Sequence, residues 1–293
     1  MIDFTNFPTK KKAYGGANGS KLSVVFNNEL YMLKLPMHAL KNPNLSYTNS
    51  CTSEYLGCHI FNMLGVKAQE TLLGEYEYRG KVRTVVACKD FTSPKTTIVD
   101  FASVKNQIID SASNGYGTEL SDILDTIQKQ NAVDPKELEE HFWQMFVIDA
   151  FIGNWDRHNG NWGFLYNQET DEMEIAPIYD CGSALYPQID DQLIQKVLAS
   201  KAEMNARVYD VPTSAILING KRGNYYKIIT SLDYDGCNRA IKQIVPRIKM
   251  SEIADLINQV EQLSTLQKEF LKKILQLRKE LILDVAYQAL LNK

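Results

Sequence analysis

A polar stretch enclosed by apolar segments is the sequence feature that most constrains how this chain can fold: FIGNWDRHNGNWGFLYN, Phe151–Asn167. It contains Asp156, Arg157 and His158 among asparagines, glycines and two tryptophans. Burying such groups costs free energy unless they are hydrogen-bonded or bind a ligand. The stretch is either a polar turn that ends the preceding helix, with its side chains bonded to backbone N–H groups, or a functional loop. The other segments of the sequence are needed to choose between these two interpretations.

Length and charge narrow the class of protein. With 293 residues, 44% of them hydrophobic, the chain can bury a large core and reaches the size at which chains divide into two lobes. The formal net charge of -3 gives no reason to expect direct binding to nucleic acid or to an anionic membrane. No segment approaches the roughly 18 uninterrupted apolar residues of a membrane span, and the N-terminus has no cleavable signal pattern. We expect a cytoplasmic protein, or one secreted without a Sec-type signal.

The five cysteines are scattered along the chain, and no two of them form a C-x-x-C pair. This spacing argues against a zinc site and against a disulfide framework. We expect reduced thiols with structural roles at Cys51, Cys58, Cys88, Cys181 and Cys237.

Residues 1–91 have the pattern of a β-rich unit. A hairpin is predicted over residues 22–36, because asparagine in the connecting NNE tolerates the positive φ of a tight turn. Apolar residues at helical spacing predict a helix over residues 50–64, which Gly65 ends. Two further strands are predicted on either side of the turn YRGK.

Residues 92–293 are mainly helical by the same criteria. Helices are predicted over 118–131 and 134–153, the second opening with an Asp-Pro cap, and a hairpin follows the polar stretch. The apolar stripe from 253 to 274 predicts a core-facing helical surface, with a partner-binding face as the alternative. The whole pattern predicts an α+β fold with an N-lobe over 1–91 and a C-lobe over 92–293, forming one continuous catalytic unit.

The stretch YGGANGSK comes directly before the first predicted hairpin. Glycines there would let backbone N–H groups approach phosphate oxygens, although a plain turn is the alternative. The spacing is not that of a Walker A loop, which would also lead into a helix rather than a strand. A phosphate-binding role therefore depends on what the neighbouring segments contain.

Lys34 lies in the otherwise apolar segment YMLKLP, where its ammonium either reaches a strand edge or meets an anion. Glu54 lies on the predicted helix, close to its apolar face. A strand lysine paired with a helix glutamate beneath a glycine-rich hairpin is how kinases hold the α- and β-phosphates of ATP. An exposed edge lysine and a solvated glutamate are the structural alternatives for each residue taken singly.

The polar stretch can now be interpreted together with the later segment APIYDCGSA. Asp156 and Asn161 are five residues apart, and Asp180 follows the predicted hairpin. Phosphoryl transfer requires a carboxylate that orients a hydroxyl, and oxygen ligands for Mg²⁺ such as an amide and a second carboxylate. His158 is predicted to support the loop and to face a phosphate. Arg157 is predicted to pair with an acid of the catalytic core or near the segment after Asp180. The order of the motifs favours a kinase over a capping turn.

GNWDRHNGNWGF and APIYDCGSAL resemble the catalytic motifs of the HipA-like serine/threonine kinases, the toxin kinases of bacterial toxin–antitoxin systems. The order of motifs is similar from about Gly15 to the helical C-terminus. The chain looks most like the short forms that lack the extra N-terminal subdomain, such as the HipT toxins. The resemblance implies a bilobed protein-kinase-like fold and an ATP- and Mg²⁺-dependent serine/threonine protein kinase.

Carried over by motif, the resemblance implies that Asp156 is the catalytic aspartate. Asn161 and Asp180 are implied as Mg²⁺ ligands that also contact the nucleotide. Lys34 is implied to contact the phosphates of ATP, with Glu54 as its partner.

The resemblance also implies a hinge in the segment CKDF, where backbone groups of Lys89 and Phe91 would meet adenine. Lys89 replaces the family's usual acidic residue, which leaves backbone recognition possible. The glycine loop is longer than the commoner form, and its implied nucleotide contacts are Gly15, Gly16, Gly19 and Lys21. In this family, autophosphorylation of a loop serine switches activity off, and the candidates are Ser20 and Ser23, where a phosphate would repel ATP.

The resemblance suggests a protein substrate, such as an aminoacyl-tRNA synthetase or another translation factor, and an antitoxin protein as a second partner. Two alternatives stay open. A phosphoinositide-type lipid kinase shares the Asp-Arg-His and Asn loop, but the segment after Asp180 lacks the clustered basic residues that a phosphorylated headgroup requires. A pseudokinase could bind an antitoxin through its C-terminal helices, although the catalytic positions here carry competent residues.

Overall fold

The computed structural model describes residues 1–12, 14, 21–38, 46–47, 49–109 and 112–293. Four of the predicted site residues, Gly15, Gly16, Gly19 and Ser20, lie outside the described residues.

Strands and helices are numbered in chain order. The strands are β1 (Ile2–Asp3), β2 (Thr9–Lys10), β3 (Lys21–Phe26), β4 (Glu29–Lys34), β5 (Met37–His38), β6 (Ser46–Tyr47), β7 (Thr71–Tyr78), β8 (Lys81–Lys89), β9 (Thr96–Asp100), β10 (Gly163–Asn167), β11 (Glu172–Ile175), β12 (Leu217–Ile218) and β13 (Lys221–Arg222). The helices are α1 (Ser50–Met63), α2 (Phe101–Ile108), α3 (Leu120–Lys129), α4 (Pro135–Ile152), α5 (Asp191–Ala199), α6 (Lys201–Tyr209), α7 (Tyr225–Ser231), α8 (Asp235–Ile244), α9 (Met250–Gln259), α10 (Thr265–Arg278) and α11 (Asp284–Leu291). A 3-10 turn (Val245–Arg247) follows α8, and a π-helical turn (Lys279–Leu283) joins α10 to α11.

A six-stranded sheet contains both predicted hairpins of the N-terminal part, in the strand order β1-β7-β8-β4-β3-β2. β1 and β7 are parallel, and the other neighbours are antiparallel. The hairpin turns take the positive φ that their residues tolerate, +49° and +63° at Asn27 and Asn28 and +53° and +73° at Arg79 and Gly80. β1 and β2 were not predicted, because strands of two residues are too short to show alternation.

A second sheet has the order β11-β10-β9. The hairpin of β10 and β11 is as predicted, but β9 was not predicted, because residues 92–293 were expected to be mainly helical outside that hairpin. This segment is rich in β-branched residues and pairs antiparallel with β10, so that Gly163 lies opposite Asp100. A Cβ at Gly163 would overlap the carbonyl oxygen of Val99, which explains the glycine at this close approach of two strands.

The C-terminal apolar stripe faces the core, as predicted, but it lies on two helices, α9 and α10, rather than on one run. A capping box starts α10: the Ser264 hydroxyl accepts the N–H of Gln267 (3.1 Å), and the Gln267 side chain accepts the N–H of Ser264 (2.9 Å). Buried residues of the stripe include Ile253, Ile257, Phe270 and Ile274. Within the described part of the chain, no helix is long and apolar enough to cross a membrane.

All five cysteines are buried and free. Burial raises the pKa of the Cys51 thiol to about 12, so this group stays protonated near neutral pH. The burial of all five thiols agrees with the expectation of structural cysteines, and Cys181 in addition accepts a hydrogen bond from the Arg157 guanidinium (3.4 Å).

Gly153, the residue after α4, is expected to be required for the way in which this helix ends against Arg278. It has a left-handed φ of +67°, and a Cβ there would overlap the guanidinium of Arg278, which is buried and donates to the Tyr186 hydroxyl (2.7 Å). We expect Gly153→Ala to lower the free energy of unfolding by more than about 1 kcal/mol, measured by chemical denaturation. Gly80→Ala is the matched control, because its φ is +73° but its Cβ would meet open space. Equal losses in the two variants would contradict a role for packing against Arg278.

Candidate active site

The polar stretch forms the loop between α4 and β10. After Gly153 the chain turns back on the helix, since the Asn154 N–H donates to the Asp149 carbonyl (2.9 Å) and its side-chain amide donates to the Asp149 carboxylate (2.9 Å). A polar turn therefore ends α4, as the capping interpretation requires, but the residue that makes its hydrogen bonds is Asn154. Asp156 and Asn161, which the capping interpretation would use, are left for another purpose.

Arg157 ties this loop to the protein core. It is 2% exposed, its Nε donates to the Asp149 carboxylate (2.9 Å), and its guanidinium also donates to the carbonyls of Asn161 (2.7 Å) and Tyr179. The predicted pairing of Arg157 with a core acid is confirmed. Since Tyr179 precedes Asp180, one buried side chain fixes the helix, the loop and the segment that carries the second carboxylate.

Removing this guanidinium should be strongly destabilising. In Arg157→Ala, the Asp149 carboxylate would stay buried without its cationic partner, and we expect a loss of about 3–5 kcal/mol in the free energy of unfolding. Lys129→Ala is the matched control, because Lys129 pairs with Asp125 (2.8 Å) on the exposed surface, where about 0.5 kcal/mol is expected. Similar denaturation midpoints for the two variants would contradict the structural role of Arg157.

Asp156 lies in the middle of the loop and is half-buried. Its carbonyl accepts the N–H of His158 (2.8 Å) and the side-chain amide of Asn161 (2.9 Å), whereas its carboxylate accepts no hydrogen bond from the residues that the structure describes. Burial raises the pKa of Asp156; His158 lowers it and Asp180 raises it further. The backbone is therefore fixed while the carboxylate is available to a reactant.

Asn161 and His158 complete the loop. Because the amide nitrogen of Asn161 donates to the Asp156 carbonyl, its amide oxygen remains as an acceptor for a ligand. His158 is half-buried, its Nδ1 accepts the Gly160 N–H (3.1 Å), and its ring lies edge-on to Tyr116 with centroids 6.3 Å apart. These contacts agree with a supporting role for His158 in the loop.

Lys34, Glu54 and Asp180 come together although they lie on three separate elements. The Lys34 ammonium is 3.1 Å from a Glu54 oxygen and 3.2 Å from an Asp180 oxygen. The Asp180 N–H donates to Glu54 (3.1 Å), and Asp180 has a left-handed φ of +60°. Glu54 is 1% exposed, so neither the edge lysine nor the solvated glutamate of the structural alternatives is found.

Two glycines permit this close approach. A Cβ at Gly57 would lie 2.6 Å from the Cβ of Cys181, so a side chain on this face of α1 would displace the segment that follows Asp180. A Cβ at Gly182 would lie 3.1 Å from a Glu54 carboxylate oxygen. Both glycines therefore allow α1 and the Asp180 segment to touch.

Lys34, Glu54 and Asp180 form the Lys34 cluster, and their opposite charges stabilise each other. The Lys34 ammonium lowers the pKa of Asp180 below its ordinary value. Burial by itself would lower the pKa of Lys34, but the carboxylates of Asp180 and Glu54 outweigh it and hold the pKa well above the ordinary value. Lys34 is therefore a fixed cation at neutral pH, and Asp180 a fixed anion whose side chain is 48% exposed.

The predicted hinge, CKDF, spans the end of β8, whose last residue is Lys89. The Lys89 N–H donates to the Glu70 carbonyl (2.8 Å), and the Lys89 carbonyl accepts the Gln69 side-chain amide (2.9 Å). The Lys89 ammonium pairs with Glu29 (2.8 Å) and Glu70 (3.3 Å). Lys89 can therefore offer only the second lone pair of its carbonyl to a ligand.

Phe91 is the freer of the two predicted hinge residues. Its N–H makes no hydrogen bond within the described ranges, and its half-buried ring lies 6.1 Å from the ring of Tyr179, centroid to centroid. The Phe91 N–H is thus available as a donor beside an aromatic surface.

Lys21, the last residue of the stretch YGGANGSK, and Ser23 both lie on β3. Lys21 is directly opposite Lys34 in the sheet, and burial together with the Lys34 charge lowers its pKa. A second cation therefore lies beside the Lys34 cluster. The Ser23 side chain is buried, 3% exposed, where β3 pairs with β2 and β4.

Asp149 and Arg222 also support the site and were not predicted from the sequence. The sequence does indicate a role for Asp149, because a carboxylate within the apolar run FVIDAFIG of a buried helix requires a polar partner. Arg222, on β13, donates to the Trp155 carbonyl next to Asp156, and its charge lowers the pKa of Asp156. No local pattern links Arg222 to a loop 67 residues away, so only the fold reveals it.

Comparison with known proteins assigns the class. Residues 13–264 match the family model described as the HipA-like C-terminal domain, and the chain belongs to that family. The serine/threonine-protein kinase CtkA of Helicobacter pylori (strain J99) is 49% identical over 288 residues, which cover 98% of this chain and 87% of the relative. The crystal structure of the Helicobacter pylori proinflammatory kinase CtkA matches with a TM-score of 0.94 at 47% identity, over 99% of this chain and 98% of that one.

A more distant match extends the likeness in fold. HipA, in a Shewanella oneidensis toxin–antitoxin complex with HipB and operator DNA, matches with a TM-score of 0.56 at 13% identity, over 95% of this chain and 68% of that one. The predicted α+β, kinase-like fold and the resemblance to short HipA-like kinases are confirmed. The predicted enzyme class, a serine/threonine-protein kinase, is confirmed by the similarity to CtkA and favoured over a lipid kinase.

Proposed function

We propose that this chain is an ATP- and Mg²⁺-dependent serine/threonine protein kinase whose reaction centre is formed by Lys34, Asp156, Asn161 and Asp180. The single observation that carries the proposal is the Lys34 ammonium, 3.1 Å from buried Glu54 and 3.2 Å from half-exposed Asp180. A cation oriented in this way beside a metal-binding carboxylate is what a triphosphate requires.

The nucleotide would be held at two places. The Lys34 cluster would take the phosphates, with Glu54 orienting the ammonium and Lys21 adding a second positive charge. The Phe91 N–H and the Lys89 carbonyl would meet adenine at the hinge. Gly15, Gly16 and Gly19 keep their predicted phosphate contacts, on the sequence alone.

The oxygen groups of the site fit Mg²⁺. The Asn161 amide oxygen and the Asp180 carboxylate are hard donors of the kind this ion prefers, and the lowered pKa of Asp180 keeps it ionised. Bound there, the metal would neutralise charge on the phosphates.

Asp156 would act on the substrate hydroxyl. Its carboxylate can accept the hydroxyl hydrogen bond and orient the oxygen for attack, because no protein donor in the described part of the chain competes for it. Asn161 supports this position by donating to the Asp156 carbonyl, and His158 by closing the turn that follows it.

The proposed output is control of a cellular protein, either as the toxin of a toxin–antitoxin pair with an antitoxin partner or as a related effector. The substrate would be a protein, such as an aminoacyl-tRNA synthetase or another translation factor. The 49% identity to CtkA, described as a proinflammatory kinase, supports the effector role. Growth arrest on induction of the wild type but not of Asp156→Asn would instead support the toxin.

Regulatory autophosphorylation is proposed at a serine of the glycine stretch. Ser23 lies buried within the sheet, so modifying it requires β3 to leave its neighbours. Mass spectrometry of protein incubated with ATP and Mg²⁺ would locate the phosphate and decide between the two serines.

The decisive test of the proposed function uses γ-labelled ATP. The purified protein should transfer label to itself or to added protein in Mg²⁺ but not in EDTA, and Lys34→Met should reduce the transfer severely. Lys129→Met removes a surface lysine and should match the wild type. Absence of transfer by the wild type in Mg²⁺, with any protein substrate offered, would refute the proposal.

A further inference from the structure

Asp90 follows β8 and forms one hydrogen-bonded cluster with three other residues. Its Oδ1 accepts the N–H (2.9 Å) and the hydroxyl (2.6 Å) of Thr92. Its Oδ2 accepts the Lys12 ammonium (2.5 Å) and the Tyr14 hydroxyl (2.9 Å). The Lys12 ammonium also donates to the Thr92 hydroxyl (2.7 Å), which closes the Asp90 cluster of Lys12, Tyr14, Asp90 and Thr92.

The cluster is half-buried: the Lys12 side chain is 35% exposed, whereas its acidic partner is not. The Asp90 side chain is 3% exposed, and both of its oxygens are fully used. Burial alone would raise the pKa of Asp90, but the contacts with Lys12, Thr92 and Tyr14 outweigh it and lower the pKa. A buried carboxylate with this set of donors is ionised and rigidly placed, so losing a donor costs more than at the surface.

The cluster lies between the predicted hinge and the start of the glycine stretch. Tyr14 is the first residue of the glycine stretch YGGANGSK, and Lys21, its last residue, lies opposite Lys34. Asp90 itself precedes Phe91, and its N–H donates to the Leu30 carbonyl in the sheet (2.8 Å). Tyr14, at one end of the stretch, is therefore hydrogen-bonded to the hinge segment, and Lys21, at the other end, lies beside the Lys34 cluster.

We propose that Asp90 is a positioning residue that, through Lys12 and Tyr14, fixes the entrance of the glycine stretch relative to the hinge and so sets the affinity for the phosphates of ATP. This inference rests on the proposed function, because it assumes that the glycine stretch and the Lys34 cluster receive a nucleotide. Asp90 acts through its neighbours and touches no reacting atom.

Asp90→Asn tests the inference, because it keeps the shape of the side chain and removes its charge. The dissociation constants of Mg-ATP and of adenosine are measured by calorimetry, well below the melting temperature of each variant. We expect the constant for Mg-ATP to rise about tenfold, and that for adenosine, which lacks phosphates, to change less than about twofold. The rate of label transfer at saturating ATP should stay within about twofold, so that the effect falls on KM and not on kcat.

Tyr14→Phe is a second variant that removes a single hydroxyl and is expected to fold even if Asp90→Asn does not. It should raise the Mg-ATP constant about threefold in the same direction. Lys12→Met combined with Asp90→Asn should weaken binding by less than the product of the two single effects, since both remove the same ion pair. Glu252→Gln is the control, because it breaks an exposed ion pair with Lys249 (3.0 Å) at the start of α9 and should leave both constants unchanged.

Two results would overturn the inference. Equal weakening of Mg-ATP and adenosine would show that the cluster acts on the hinge or on folding rather than on the phosphate side. A lowered melting temperature with unchanged Mg-ATP affinity would assign the cluster to stability alone. Failure of the wild type to bind Mg-ATP would instead refute the proposed function, so the two failures are distinguishable.

Discussion

Replacing Asp156 by asparagine should reduce phosphoryl transfer by about a hundred- to ten-thousandfold, with little effect on the melting temperature. Asparagine retains the size of the side chain but cannot accept the hydroxyl proton or orient the attacking oxygen with a full negative charge. Stability should change little, because burial raises the pKa of Asp156 and the folded state therefore disfavours its charged form. Initial rates of label transfer and thermal melts of the two proteins measure both expectations.

The same substitution elsewhere provides the control. Asp125→Asn removes a carboxylate from an exposed pair with Lys129 (2.8 Å) and should leave the rate unchanged. A variant at position 156 that keeps more than a tenth of the wild-type rate would remove Asp156 from its proposed catalytic role. A large drop in its melting temperature would show that the loop depends on the carboxylate for folding.

Asp180→Asn should reduce the rate by about a hundredfold or more, because it removes the charged ligand proposed for Mg²⁺. The required Mg²⁺ concentration should rise at the same time. The fold should survive, since Lys34 keeps its contact with Glu54 (3.1 Å) and asparagine tolerates the left-handed φ of +60° at this position. Rates over a Mg²⁺ titration, with melts of both proteins, measure these effects.

Asp171→Asn is a closely matched control for that variant. Asp171 also has a left-handed φ, +56°, but it is exposed and bonded to the Tyr166 hydroxyl (2.8 Å). The backbone demand of the two substitutions is thus the same, and only Asp180→Asn should change the Mg²⁺ dependence. An identical Mg²⁺ titration for wild type and Asp180→Asn would exclude Asp180 as a metal ligand.

Local signals predicted much of the fold. Both N-terminal hairpins follow from short turns of asparagine or Arg-Gly, and α4 begins at an Asp-Pro cap whose aspartate accepts the N–H groups of Lys136 and Glu137. β9 was missed because its partner β10 is more than sixty residues away, so its pairing depends on contacts that no local window contains. The break between α9 and α10 was readable in principle, since Ser264 and Gln267 have the spacing of a capping box.

The residues proposed to bind ATP and Mg²⁺ were predicted from the sequence, but the residues that hold them in place were not. Lys34, Glu54 and Asp180 were proposed together from the order of their motifs, and they do meet in space. Asp149 and Asp90 were not proposed, although each holds a site segment in place. Residues of this kind act through long-range contacts: 78 residues separate Lys12 from Asp90, and the sequence alone does not say which elements will touch. The boundary between the lobes at residues 91 and 92 stays a prediction.

The most direct test of the central claim is the formation of phosphoserine or phosphothreonine from γ-labelled ATP and Mg²⁺. Wild type and Asp156→Asn are incubated side by side with protein substrate, and the labelled amino acids are identified after hydrolysis of the protein. We predict label on serine or threonine with the wild type and almost none with Asp156→Asn. Equal labelling by the two proteins, or none by the wild type, would contradict the assignment of this site as the active site of a kinase.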